Sequence, residues 1–291
     1  MHSRDSINKL LTIALVISSS VALLEFIGWL LSNSVALLSD TIHVLTDVTA
    51  LLLTLMASKV ALKSHTPKLT YGYHRAEVLA ALANGILLII LVFTVSFEAY
   101  DRFIEQEKID SVILIWIAII GLIANFITFV ILKDIKNIIS VRSALMHIFS
   151  DTLSSLSITI GGFMIYYTNI LIIDPLISIG ISLLILRHAI ILIKDTIHIL
   201  LEGVPEGISI EIITRTIKDI KGVIDIHDLH VWCITTDLLA LSAHIVIEDQ
   251  MVSESIKIID EIKRRMNGFG IRHTTIQLES ERNIDINKSD K

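Results

Sequence analysis

Three stretches of this chain, Val78 to Phe97, Ser111 to Leu132 and Thr152 to Ile173, contain no charged residue at all. Each is as long as the ~20 apolar residues that carry a helix across a bilayer at 1.5 Å rise per residue. Three further apolar stretches are interrupted only by isolated ionisable groups: Leu10 to Leu31 holds Glu25, Val35 to Leu62 holds Asp40, His43, Asp47 and Lys59, and Ile172 to Ile193 holds Asp174, Arg187 and His188. The expected fold class is therefore an α-helical membrane protein with six transmembrane helices. The first apolar run is too long for a signal peptide and no small-x-small cleavage site follows it, so it reads as a span.

Residues 1–200 carry 27 charged side chains and the last 91 residues another 27, which separates a membrane half from a soluble one. Lys and Arg near the span ends set orientation. Arg4, Lys9, Lys59, Lys63, Lys68, Arg75, Lys133, Lys136 and Arg142 lie on one side and only Arg102 and Lys108 on the other, which predicts both termini in the cytoplasm and short outward loops near Leu31 to Ser34 and Tyr167 to Leu171. The run Glu202-Gly-Val-Pro-Glu-Gly207 stops the last span. The expected domains are 1–201 in the membrane, a linker at 202–207, a cytoplasmic domain at 208–280 and a polar tail at 281–291. Helical spacing over Ile208 to Ile220 and Val252 to Met266, with strand patterns at Val223 to Ile234, Leu239 to Ile247 and Arg272 to Leu278, predicts a small α+β domain of order α-β-β-α-β.

A charged group at mid-membrane depth is costly and asks for a function. His43 and Asp47 form one H-x-x-x-D pair, and His147 and Asp151 another. Four residues apart, each pair stands on one helix face. Counted from Val35, the first pair lies roughly 12 to 18 Å into its span, and counted from Val141 the second lies roughly 9 to 15 Å in. The two meet near the midplane. Two imidazoles and two carboxylates suit tetrahedral Zn²⁺, with Co²⁺ and Cd²⁺ next; Mg²⁺, Ca²⁺ and Mn²⁺ prefer oxygen. Without an ion the carboxylates repel each other and take up protons, which metal binding expels. A structural His–Asp hydrogen bond explains one pair as readily, but two at matched depth much less so. Glu25 and Asp40 either line the ion's vestibule or face a water-filled cavity, Asn84 and Asn125 read as interhelical hydrogen-bond partners, and Lys59 and Arg187 snorkel.

Several classes drop out. A net charge of −6 with no long basic run argues against nucleic acid. The single Cys233 excludes a disulfide framework and a thiolate zinc site, and beside Trp232 it reads as a small buried hydrophobe. No nucleotide-binding G-x-x-x-x-G-K-[ST] and no metalloprotease H-E-x-x-H occurs, so the chain reads as a gradient-driven transporter and not an enzyme.

The chain resembles the cation diffusion facilitators, in their zinc-transporting branch. The likeness is carried by Asn33-Ser-Val-Ala-Leu-Leu-Ser-Asp40 leading into His43 and Asp47, by Tyr71-Gly-Tyr-His-Arg-Ala-Glu77, and by Arg142-Ser-Ala-Leu-Met-His147-Ile-Phe-Ser-Asp151. Asp174-Pro175, His227-Asp-Leu-His230-Val-Trp232 and His273-Thr-Thr-Ile-Gln-Leu-Glu279 extend it over nearly the whole chain. The resemblance implies a homodimeric, proton-coupled exporter of zinc in the cell membrane, with four ligands on spans 2 and 5. It also implies a metallochaperone-like cytoplasmic domain that dimerises and responds to metal through His227, His244 and Glu279, with His230 or His273 as alternates. His227 and His230 cannot share a site on a regular strand without a bulge. The loop Lys133 to Arg142 lacks the histidines that many eukaryotic members carry there. His65 and His74 remain a candidate weaker site. Two rival readings are a metal sensor anchored by the membrane half, which would move no ion, and a passive channel, which would need no proton counterflow.

Overall fold

The computed structural model describes residues 4–61, 63, 65–132, 139–235 and 238–280. Six long helices come first: α1 (Arg4–Ser32), α2 (Val35–Ala61), α3 (Ala76–Glu105), α4 (Ser111–Leu132), α5 (Ile139–Thr168) and α6 (Ile173–Leu200). Among the described residues, four stretches are both long and apolar enough to cross a membrane: Ala76–Glu105, Ser111–Val130, Ile148–Thr168 and Ile173–Leu200. The apolar parts of the first two helices, Val16–Ser32 and Val35–Thr46, are shorter, yet α1 and α2 run for 29 and 27 residues, and ~40 Å of helix exceeds the ~30 Å hydrocarbon core.

The short loops after α1 and α5 end their helices in the same way. Asn33 and Asn169 take φ of 61° and 55°, and their N–H groups donate to the carbonyls of Trp29 and Ile165 at 2.8 Å, the left-handed cap that asparagine tolerates. Asp110 caps α4, accepting from Val112 and Ile113 N–H at 3.1 Å.

Internal contacts divide the chain into two units, 1–55 with 83–193, and 56–82 with 194–291. In the first, α4 packs along both α1 and α5. Asn125 donates to Ser155 Oγ at 3.1 Å, joining α4 to α5 as expected. The side-chain carbonyl oxygen of Asn84 is buried and has no hydrogen-bond partner among the described residues.

In the second unit α7 (Ile210–Lys218) is capped by Ser209, which accepts from Ile212 N–H. It is followed by β1 (Val223–Thr235), β2 (Leu238–Ile247), α8 (Val252–Gly268) and β3 (Ile271–Ser280), the α-β-β-α-β order. The sheet order is β1-β2-β3, antiparallel between β1 and β2 and parallel between β2 and β3. A parallel neighbour needs a crossover, and α8 supplies it. Ile213 and Ile217 of α7, Ile262 and Met266 of α8, and Leu241 and Ile245 of β2 form a fully buried core, and Cys233 is buried as a small hydrophobe.

Candidate metal centres

In the membrane half, α2 brings His43 and α5 brings Asp151 face to face, with Nε2 3.4 Å from Oδ1 and side chains only 13% and 6% exposed. Asp47 and His147 lie one turn from these on the same helices, and their side chains fall outside the described residues. Beside the pair sit two more buried carboxyls. Asp40 reaches Glu25 of α1 and Ser154 of α5, and lies within electrostatic range of His43 and Asp151. Glu25 and Asp40 are 1% and 2% exposed, so both are buried between the helices. Gly121 of α4 makes the room: a Cβ there would stand 2.9 Å from Glu25 Oε1.

The second constellation is built by strand register. His227 on β1 pairs directly with His244 on β2, and His244 with Gln277 on β3, so that Glu279, two residues on, returns to the same face. His227 Nε2 lies 3.0 Å from Glu279 Oε2, and His244 Nδ1 lies 2.9 Å from Oε1. All three ligand atoms fall within 4.8 Å of one another, a group that could hold a metal ion. The donor set, two imidazoles and one carboxylate, fits zinc with a fourth position open. Burial works against the charged form of Glu279, but hydrogen bonds from Gln277 and His227 and the charge of both imidazoles outweigh it, and the carboxyl is held below its ordinary value.

The alternates fall outside this group. Parallel pairing sets His273 opposite Ala240, and its ring meets Tyr71 edge-on at 5.6 Å. His230 does lie past a bulge: β1 slips one residue between His227 and His230, with Asp228 at φ 49°. That bulge turns Asp228 toward both histidines, 3.1 Å from His230 Nε2 and 3.6 Å from His244 Nε2, and its hydrogen bond with His230 holds the Asp228 carboxyl low. Asp228 is not among the residues that the sequence pattern assigns to this site; its one signal is an Asp, a residue that tolerates left-handed backbone, inside a strand pattern. His65 and His74 border one cleft of about 240 Å³ with Lys63 and Tyr71, and no third ligand groups with them among the described residues. Close by, Arg75 bonds Glu202 of the linker at 2.9 Å.

A six-helix membrane domain that buries facing His and Asp side chains, followed by a small αβ domain with two imidazoles and a carboxylate grouped as metal ligands could be, fits a multi-pass carrier of metal cations. The chain belongs to the cation efflux family: the cation efflux transmembrane domain matches residues 11–201, and the cation efflux protein cytoplasmic domain matches 205–281. A cadmium, cobalt and zinc/H(+)-K(+) antiporter of Bacillus subtilis is 39% identical over 96% of this chain and 91% of its own length. The zinc transporter ZitB of Pectobacterium atrosepticum is 35% identical over 97% of this chain and 88% of its own. A solved structure, the metal-bound C-terminal domain of the CzcD transporter from Cupriavidus metallidurans, is 32% identical and covers 25% of this chain and 99% of that one, with a TM-score of 0.23.

Proposed function

We propose that the chain exports Zn²⁺ from the cytoplasm in exchange for protons, with Co²⁺ and Cd²⁺ as further substrates. The transported ion is held between α2 and α5 by His43, Asp47, His147 and Asp151. The observation that carries this reading is the approach of His43 to Asp151 across two helices, 3.4 Å apart and largely withdrawn from solvent. The two Asp charges balance a divalent ion in a medium that penalises net charge. Metal and protons compete for the same imidazole nitrogens and carboxylate oxygens, so loading expels protons and release takes them back. A mixed nitrogen and oxygen shell binds firmly enough for capture and lets the ion leave, as conduction requires. The names of the relatives above, which include zinc, cadmium, cobalt and H(+), agree with this range.

His227, His244 and Glu279 hold a resident zinc ion in the cytoplasmic domain, where the metal supplies a cross-link between three strands. Two copies of the chain pair through that domain. The protein sits in the cell membrane with both termini in the cytoplasm, and the domain limits are 1–201, 202–207, 208–280 and 281–291. Zinc-edge X-ray absorption on the full chain carrying His227→Ala and Glu279→Ala tests the transport site. Two imidazoles and two oxygens at ~2.0 to 2.2 Å are expected; an all-oxygen shell, or one that His43→Ala leaves unchanged, rejects it.

A further inference from the structure

We infer that Asp174, at the start of α6, is the positioning residue that fixes α2 and, through it, the ligands His43 and Asp47. The inference rests on the reading that α2 and α5 hold the transported ion. Helix α2 begins straight after a tight turn, and its first N–H groups have no partner within the helix. Ser34 meets one of them, accepting from Leu37 N–H at 3.3 Å. Two others are met from α6: Val35 and Ala36 N–H donate to Asp174 Oδ2 at 2.7 and 3.4 Å, while the Ser34 hydroxyl donates to Oδ1. None of these four residues is more than 1% exposed. The cap therefore comes from a residue 139 positions away from Val35, and a carboxylate there also complements the helix dipole.

One turn further in, the hydroxyls of Ser39 and Ser178 bond each other. Asp174 to Ser178 and Val35 to Ser39 are both steps of four residues, so the two ties share one face of each helix. On α2 the next steps along that face are His43 and Asp47. A helix tied at two points one turn apart is fixed in both depth and rotation. The ligands follow about 12 and 18 Å along the axis from Val35, and any slip or roll at the tied end reaches them undiminished. Other bonds hold the preceding turn, from Arg102 to Asn33 at 2.7 Å and from Asp110 N–H to the Ser32 carbonyl at 2.9 Å. Among the described residues, of the contacts that reach this end of α2 from another helix, only those of Asp174 engage the N–H groups of α2 itself. Loss of the carboxylate leaves buried donors without water to replace it.

The test is zinc titration of the full-length protein in detergent, with His227→Ala and Glu279→Ala silencing the cytoplasmic triad. Asp174→Ala is expected to weaken binding by roughly tenfold or more, with the elution volume and melting profile of folded protein retained. Asp174→Asn, which keeps an oxygen for Val35 N–H, is expected to bind within about threefold of the parent. In a His43→Ala background, Asp174→Ala should cost less than in the parent, because α2 then has only Asp47 left to position. A general structural role would instead add its full cost in both. Parent-like affinity in Asp174→Ala, or an equal loss in both backgrounds, overturns the inference. Should Asp174→Ala fail to fold, Asp174→Asn decides alone, and a loss as large as that of Asp151→Ala overturns it. If Asp151→Ala itself binds like the parent, the transport-site reading fails and takes this inference with it.

Discussion

Replacing Glu279 with Gln keeps the side chain's shape and removes the only negative charge of the cytoplasmic triad. In the native domain both imidazoles address that carboxylate, His227 Nε2 at 3.0 Å and His244 Nδ1 at 2.9 Å, on opposite oxygens. Groups that merely orient a metal ligand already cost ~10- to 100-fold in affinity when removed. Loss of the charged ligand itself should cost at least the top of that range, ~100-fold or about 2.8 kcal/mol. Calorimetric zinc titration of the full chain, with Asp47→Ala and Asp151→Ala silencing the membrane site, reads this directly. The same variant has a metal-free signature. Burial opposes the charge of Glu279, yet hydrogen bonds from Gln277 and His227 hold its carboxyl below the ordinary 4.5. A carboxyl lowered in the folded state stabilises fully above its unfolded value, and that stability is lost as pH falls through the folded value. The metal-free parent should therefore lose melting temperature below about pH 4.5 more steeply than Glu279→Gln. Zinc affinity within threefold of the parent, or equal acid slopes, would refute the reasoning.

Three further substitutions probe the scaffold. Gly161→Ala would set a Cβ 2.1 Å from Ile177 Cδ1, between α5 and α6, and should lower thermal stability by about 1 to 3 kcal/mol; Ile177→Val, which lacks that carbon, should restore it. Ile262→Ala empties a fully buried position in the cytoplasmic core and should cost ~2 to 5 kcal/mol in urea unfolding. Ser209→Ala removes the cap of α7, which should cost ~1 kcal/mol in the same assay and leave zinc binding by the triad unchanged.

The parts of the fold that were legible in sequence are those with a local cause. Uncharged runs announced the spans, although the helices run past them: α3 continues from Phe97 to Glu105 and α5 begins at Ile139, because polar residues at a membrane surface continue a helix as readily as apolar ones. Glycine and proline mark the break between α6 and α7, and strand alternation gives the three strands within two residues of their ends. Register could not be read. Nothing local states that β3 runs parallel to β2, yet that pairing is why Glu279 joins His227 and His244 while His273 does not. The bulge at Asp228 leaves only one local mark, an Asp inside a strand pattern, and its place in the register is not stated there. Asp174 stood out only as a charge at the mouth of a span; its role depends on α2, which lies 139 residues away. The H-x-x-x-D pairs are legible because each lies within one helix, and only the approach of His43 to Asp151 needs the fold.

On the proposed function, zinc crosses the membrane through the His and Asp side chains of α2 and α5, against protons. Liposomes reconstituted with the full chain and loaded with zinc and pH indicators measure both fluxes at once. The wild type should move zinc with opposed proton movement, and folded Asp47→Ala and Asp151→Ala should move neither. Zinc flux that persists in both variants, or that proceeds in the wild type without proton counterflow, would contradict the account.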